Sequence, residues 1–203
     1  MKTMTTSRTS TSRAFIIGNG KSREGFDLEQ LRPYGDIYGC NALYRDFEPD
    51  WLIAIDEAIT KEIQDSDFPK NKFIHPLYEE QFEHPEFNPF TRLRSNAGMN
   101  AMMEALKHGK RELICLGFDF VINNELSVSN LYDGTNAYGP ETRTAVQDNL
   151  RRVKYLDWFA TKNNVAQFRM ILPRHKNLKV HKMTSVNIRG MFINELMNYL
   201  NAN

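Results

Sequence analysis

Seven short apolar runs recur along this chain, and most of them are continuous rather than alternating: AFIIG (14–18), DIYGCN (36–41), WLIAID (51–56), KFIHP (72–76), LICLGFDF (113–120), FRMILP (168–173) and LKVHKM (178–183). A strand wet on one face alternates apolar and polar residues. A continuous run is what a strand covered on both faces carries, as in a parallel sheet sandwiched by helices. Helical patterns lie between the runs. SNAGMNAMMEALKHG (95–109) is rich in Ala, Met and Leu and ends in a glycine of the kind that stops helices. Glu141 to Lys162 carries Val146, Leu150, Val153, Leu156 and Phe159 at helical spacing, with Pro140 at its start. Met191 to Leu200 forms a last helical stretch. Strands alternating with helices predict an α/β protein: a single doubly wound domain over 13–203 with a mostly parallel sheet, first strand Arg13 to Ile17. Residues 1–12, rich in Ser and Thr, read as a disordered tail.

Charge and composition narrow the function. Lys and Arg total 26 against 25 Asp and Glu, so no net basic field argues for nucleic acid as a partner. No apolar run is long enough for a transmembrane helix, and the opening residues lack the hydrophobic stretch of a secretory signal; a cytoplasmic protein is expected. Cys40 and Cys115 each sit inside an apolar run and share no metal-ligand spacing, so both read as buried free thiols.

The stretch FIIGNGKS (15–22) resembles a phosphate loop at first sight. A Walker loop needs glycine where Phe15 stands, and a dinucleotide fingerprint needs glycine where Arg23 stands, so both fail. What remains is a strand running into Gly18, Asn19 and Gly20, then Lys21 and Ser22: a turn whose backbone N–H groups can approach an anion. In Rossmann-like folds ligands bind outside the carboxyl ends of the strands. That rule selects Asn41 after the second run, Asp56 and Glu57 after the third, Arg94, Ser95, Asn96, Ala97 and Gly98 before the Met-rich helix, and Asp119 after the fifth run.

IIGNGKS, then DIYGCNALY, then RLRSNAGMNAMMEALKHGKRELICLGFDF, resembles the bacterial sialyltransferases that use CMP-sialic acid. That family carries Gly-Asn-Gly-Pro-Ser after its first strand, Cys-Asn after its second, Arg-x-x-Ser-Gly opening a helix, and a strand ending Gly-x-Asp-Phe. The likeness covers residues 14 to 120 and extends loosely to about 173. The opening turn is also similar to that of the MptE-like pterin pyrophosphokinases. The resemblance implies that Asn19 hydrogen-bonds the phosphate or ribose, Asn41 the sugar–base end and Asp56 a ribose hydroxyl. It implies that the backbone at Gly98 holds a charged oxygen, and that Tyr132 and Tyr138 hold the donor phosphates without a metal. Ala97 stands where the family has serine, with Asn96 as the replacement contact. The family's catalytic histidine has no counterpart in LYDGTNAYGPE (131–141). Asp133 is the carboxylate substitute there, and His75, at a strand end, is the leading histidine.

The function expected is a glycosyltransferase, sialyltransferase-like, moving a sugar from a nucleotide donor to an acceptor hydroxyl. Gly18, Asn19, Gly20, Ser22, Asn41, Asp56, Arg94, Asn96, Ala97, Gly98, Asp119, Tyr132 and Tyr138 would bind nucleotide, with Asp133 or His75 as base. No cofactor is expected beyond the nucleotide-sugar co-substrate, linked to CMP in the resemblance, and no metal. A homo-oligomer is left open. One alternative is a Mg²⁺-dependent pyrophosphokinase-like enzyme using Asp56, Glu57 and Asp119. The other is a catalytically inactive nucleotide-binding module.

Overall fold

In β1 (Arg13–Ile17) every side chain after Arg13 is fully buried, because the strand is covered on both sides. Ala14 and Ile16 face the layer that contains α2 (Ala97–Lys107) and α3 (Val146–Lys162). Phe15 and Ile17 face the layer that contains α1 (Glu57–Asp65) and α4 (Leu196–Ala202). The continuous apolar run therefore feeds two cores at once. Each fully buried large apolar side chain there, Phe15 or Ile17, contributes about 1.5–3 kcal/mol. The computed structural model describes residues 12–203 apart from Arg143 and Lys176; the tail expected over 1–12 lies, except for Ser12, outside the described residues.

Six further strands join β1: β2 (Asp36–Cys40), β3 (Trp51–Ile53), β4 (Phe73–Ile74), β5 (Glu112–Leu116), β6 (Gln167–Leu172) and β7 (Ile188–Phe192). They form one sheet in the order β4-β3-β2-β1-β5-β6-β7, and every pairing is parallel. Helices on both faces complete an α/β architecture of Rossmann-like type. The chain builds outward from β1 to β4, then returns to the other side of β1 with β5 and builds outward to β7. Strand order thus reverses between β1 and β5, where Ile17 pairs with Leu116, and a crevice opens beyond their carboxyl ends.

Three expectations need correction. The run LKVHKM (178–183) is not a strand of the sheet: Asn123 N–H donates to the Lys179 carbonyl and His181 N–H to that of Val121, which leaves it an isolated bridge. The seventh strand is Ile188–Phe192, and it takes the first two residues of the stretch read as the last helix. The long helix begins at Val146, while Pro140 sits in a separate 3₁₀ turn, Pro140–Thr142. Val146 and Leu150 are exposed on it; Val153, Leu156 and Phe159 are buried as expected. Helix α1 had no counterpart in the sequence reading. Both cysteines are buried and free. No helix among the described residues is long and apolar enough to cross a membrane.

Candidate functional site

The two strand ends at the reversal approach so closely that neither tolerates a side chain. A Cβ on Gly18 would lie 2.5 Å from the Gly117 carbonyl oxygen, and one on Gly117, at φ +71°, 2.6 Å from that of Gly18. Arg23, buried beneath the turn, donates from Nε to the Gly18 carbonyl at 2.6 Å. Ser22 donates its N–H (2.9 Å) and its hydroxyl to the two Asp119 oxygens. A Cβ at Gly20 would collide with that carboxylate, 2.4 Å from its carbon. Both glycines of the GNG turn are thus required by packing of the protein on itself. Burial holds the Asp119 carboxyl above its ordinary pKa, although the Ser22 bonds work the other way.

Above this knot lies a cavity of about 470 Å³. Gly18, Asn19 and Gly20 line it from β1, Asn41 from β2 and Asp56 from β3. Asn96, Ala97 and Gly98 line it at the start of α2, Asp119 after β5, and Asp133 and Tyr138 from the following loop. Eleven of the fifteen residues selected from sequence therefore share one cavity. Four stand outside its lining. Ser22 is committed to Asp119 as described. Arg94 donates from Nη2 to the Ile55 carbonyl and to Gln81 Oε1 (2.7 Å), strapping the 81–94 segment to the end of β3. Tyr132 is buried beside the cavity with its ring 5.8 Å from that of Tyr138. The exposed ring of His75 is held at Nδ1 by the Ala54 carbonyl (2.9 Å) and at Nε2 by Gln81 (3.1 Å). Of the three carboxylates in the pyrophosphokinase alternative, Glu57 also lies outside the lining, and Asp119 has both oxygens engaged by Ser22.

The polar groups inside the cavity differ in how free they are. The Asn19 amide donates to the Cys40 carbonyl (3.1 Å) and to the Tyr138 hydroxyl (3.5 Å), so it ties β1, β2 and the loop together. Asn41 sits in the left-handed region at φ +51°, and its Oδ1 atom is buried with no partner in the protein. An orphaned acceptor in a cavity is a group awaiting a donor. At α2 the Asn96 side chain caps the Met99 N–H at 3.0 Å. The Ala97 and Gly98 N–H groups take no partner among the described residues, as first-turn donors do, and they border the cavity. Asp56, at the start of α1, makes no capping bond with its side chain. Burial pushes the Tyr138 hydroxyl up to about 12, which keeps it a proton donor at neutral pH.

The loop that carries Asp133 and Tyr138 is stitched to the body. Leu131 N–H donates to the Asn19 carbonyl at 2.8 Å, and Arg45 holds Thr135 (2.8 Å) and the Asn136 carbonyl (2.9 Å). Gly134 has φ +80°, so its glycine serves a tight turn, closed by its N–H on the Tyr138 carbonyl at 2.8 Å. These ties anchor the loop to the end of β1 and to the segment that follows β2. Asp133 accepts from Asn130 N–H at 3.2 Å.

One cavity residue was misread from sequence. By sequence, Arg151, Arg152, Lys154 and Lys162 of RRVKYLDWFATK (151–162) read as a solvated face, interleaved at helical spacing with Leu156 and Phe159. Only Lys154 and Lys162 are exposed. Arg151 forks onto the buried Glu83 carboxylate, with Nε 3.1 Å from each oxygen. Arg152 lines the cavity, its Nη1 donating to Thr144 Oγ1 (2.8 Å) and Asn149 Oδ1 (3.4 Å). The signal was present: Asn149, Arg152, Leu156 and Phe159 recur at three- and four-residue steps along one side of the helix.

No protein-family model, no curated protein and no solved structure matches the chain.

Proposed function

We propose that this protein is a nucleotide-sugar-dependent glycosyltransferase of sialyltransferase-like type, transferring a sugar from a nucleotide donor to an acceptor hydroxyl. The observation that carries the reading is the cavity itself. The positions that the resemblance assigns to the nucleotide, Asn19, Asn41, Asp56 and the Asn96–Gly98 helix start, meet there beside Asp133 and Tyr138. The reaction breaks the bond between the anomeric carbon and the donor phosphate oxygen and forms one from that carbon to the acceptor oxygen. Asp133 takes the acceptor proton. The free Ala97 and Gly98 N–H groups, with the α2 dipole, stabilise charge on the departing phosphate, and the protonated Tyr138 hydroxyl donates to it. Asn41 Oδ1 receives a donor from the base or the ribose.

The first test is a thermal-shift series with CMP, CDP, UDP, GDP, ATP and their sugar conjugates. A true ligand at a hundredfold excess over Kd stabilises the fold by about 2.7 kcal/mol. If every nucleotide leaves the melting point unchanged, the reading fails. With a donor in hand, Asp133→Asn is expected to lower the transfer rate by about 10²–10⁴-fold while nucleotide binding persists. Tyr138→Phe slows transfer and leaves the fold intact. Full transfer by the Asp133 variant removes that residue from the base role.

A further inference from the structure

The mechanism above gives no work to Arg152, yet this is the cation that α3 turns into the cavity. Its guanidinium is held from one side only. Nη1 is fixed by Thr144 and Asn149, and Asn149, itself 1% exposed, is pinned through Nδ2 to the Ser127 carbonyl at 2.7 Å. Nε and Nη2 have no partner among the described residues, and they present two parallel N–H groups along one planar edge. No carboxylate in the cavity compensates the charge at contact. Asp119 is taken by Ser22, Asp133 accepts from Asn130, and Asp56 and Asp148 act on Arg152 only at a distance. Burial makes the cation costly enough to lower its pKa. A rigid, uncompensated guanidinium edge in a cavity matches two oxygens of an oxyanion, the planar group that arginine binds bidentately.

We propose that Arg152 is the oxyanion-recognition residue of this cavity, its Nε–Nη2 edge binding a phosphate or carboxylate group carried by the ligand. The inference rests on reading the cavity as a ligand site, and not on sugar transfer. The phosphate would be the nucleotide's, the carboxylate one on the group attached to it.

The test is equilibrium binding to the full chain, by calorimetry, of inorganic pyrophosphate, cytidine, CMP and a sugar acid such as glucuronate. Each is measured on the unaltered protein, on Arg152→Gln and on Arg152→Lys. Arg152→Gln is expected to weaken the anion's binding at least tenfold and to leave the neutral nucleoside unaffected. Arg152→Lys, which keeps charge and stem but loses the fork, should recover only part and remain several-fold weaker. It carries the test alone if the Gln variant does not fold. Loss confined to CMP and pyrophosphate assigns the phosphate, and loss confined to the sugar acid the carboxylate. Equal binding of every anion by all three proteins overturns the inference, as does the failure of every anion to bind the unaltered protein. CMP and the sugar acid both bound with unchanged affinity by Arg152→Gln sink Arg152 and leave the nucleotide reading standing. Pyrophosphate bound through Arg152 with no nucleotide bound does the reverse.

Discussion

At Gly20 the backbone passes so close to the Asp119 carboxylate that the smallest side chain would strike it. The same carboxylate receives both Ser22 donors, so one residue after β5 fixes the turn after β1. Removing it strands the Ser22 groups in a partly buried place, and Asp119→Ala should cost about 1–3 kcal/mol in urea denaturation. Asp119→Asn should cost far less. An amide can satisfy both Ser22 groups, and it relieves the burial of a charge whose pKa burial already raises. Equal losses in both variants would remove the hydrogen bonds as the cause. Sequence alone made the polar residues at the strand ends visible, because short apolar runs stop at Gly18, Asn41 and Asp56. It could not tell why the glycines are there. GNG reads as an anion turn, whereas the contact that demands Gly18 and Gly20 comes from residues a hundred positions away. Arg94 and His75 were selected for the same local reason, and tertiary hydrogen bonds to Gln81 take both elsewhere.

Elements were legible where both faces are buried. β1, β2 and β5 sit in the middle of the sheet, and their runs are unbroken. β7 is an edge strand with Ile188 buried but Arg189 and Gly190 exposed, so its short run is interrupted and does not stand out in the sequence. α1 escaped because only Ile59, Thr60 and Ile63 are buried along its nine residues. The last helix, α4, is held by a charged cluster at the opposite, amino end of the strands. There Glu112 on β5 accepts from Arg13 (2.7 Å), Arg169 (3.0 Å) and the Tyr199 hydroxyl. Burial alone would raise the Glu112 pKa, but these three donors outweigh it and hold the carboxyl below its ordinary value of 4.5. A depressed carboxyl contributes stability that is present above the unfolded value and lost as pH falls through the folded one. Glu112→Gln should therefore be less stable than the natural protein at neutral pH, with the difference closing in acid below 4.5. Parallel stability profiles for the two proteins would remove the charge cluster from the account of α4 docking.

At the scale of the whole molecule, a strand order that reverses between β1 and β5 leaves a crevice, and four strand ends, α2 and α3 converge on it. The sequence announced the convergence through the alternation of strands and helices; the α3 wall stayed hidden because its phase placed Arg152 among solvated charges. A second, smaller cavity of about 210 Å³, bordered by Val121, Leu172, Val180 and His181, lies away from the reversal and supplies the comparison. The decisive measurement is amide hydrogen exchange on the full chain with and without the nucleotide that stabilises it most. The account predicts slowed exchange at Gly18–Gly20, at Asn41, at Ala97 and Gly98 and around Tyr138, with residues 180–190 unchanged. Protection at 180–190 with none at the reversal of strand order, or no protection anywhere, would contradict it.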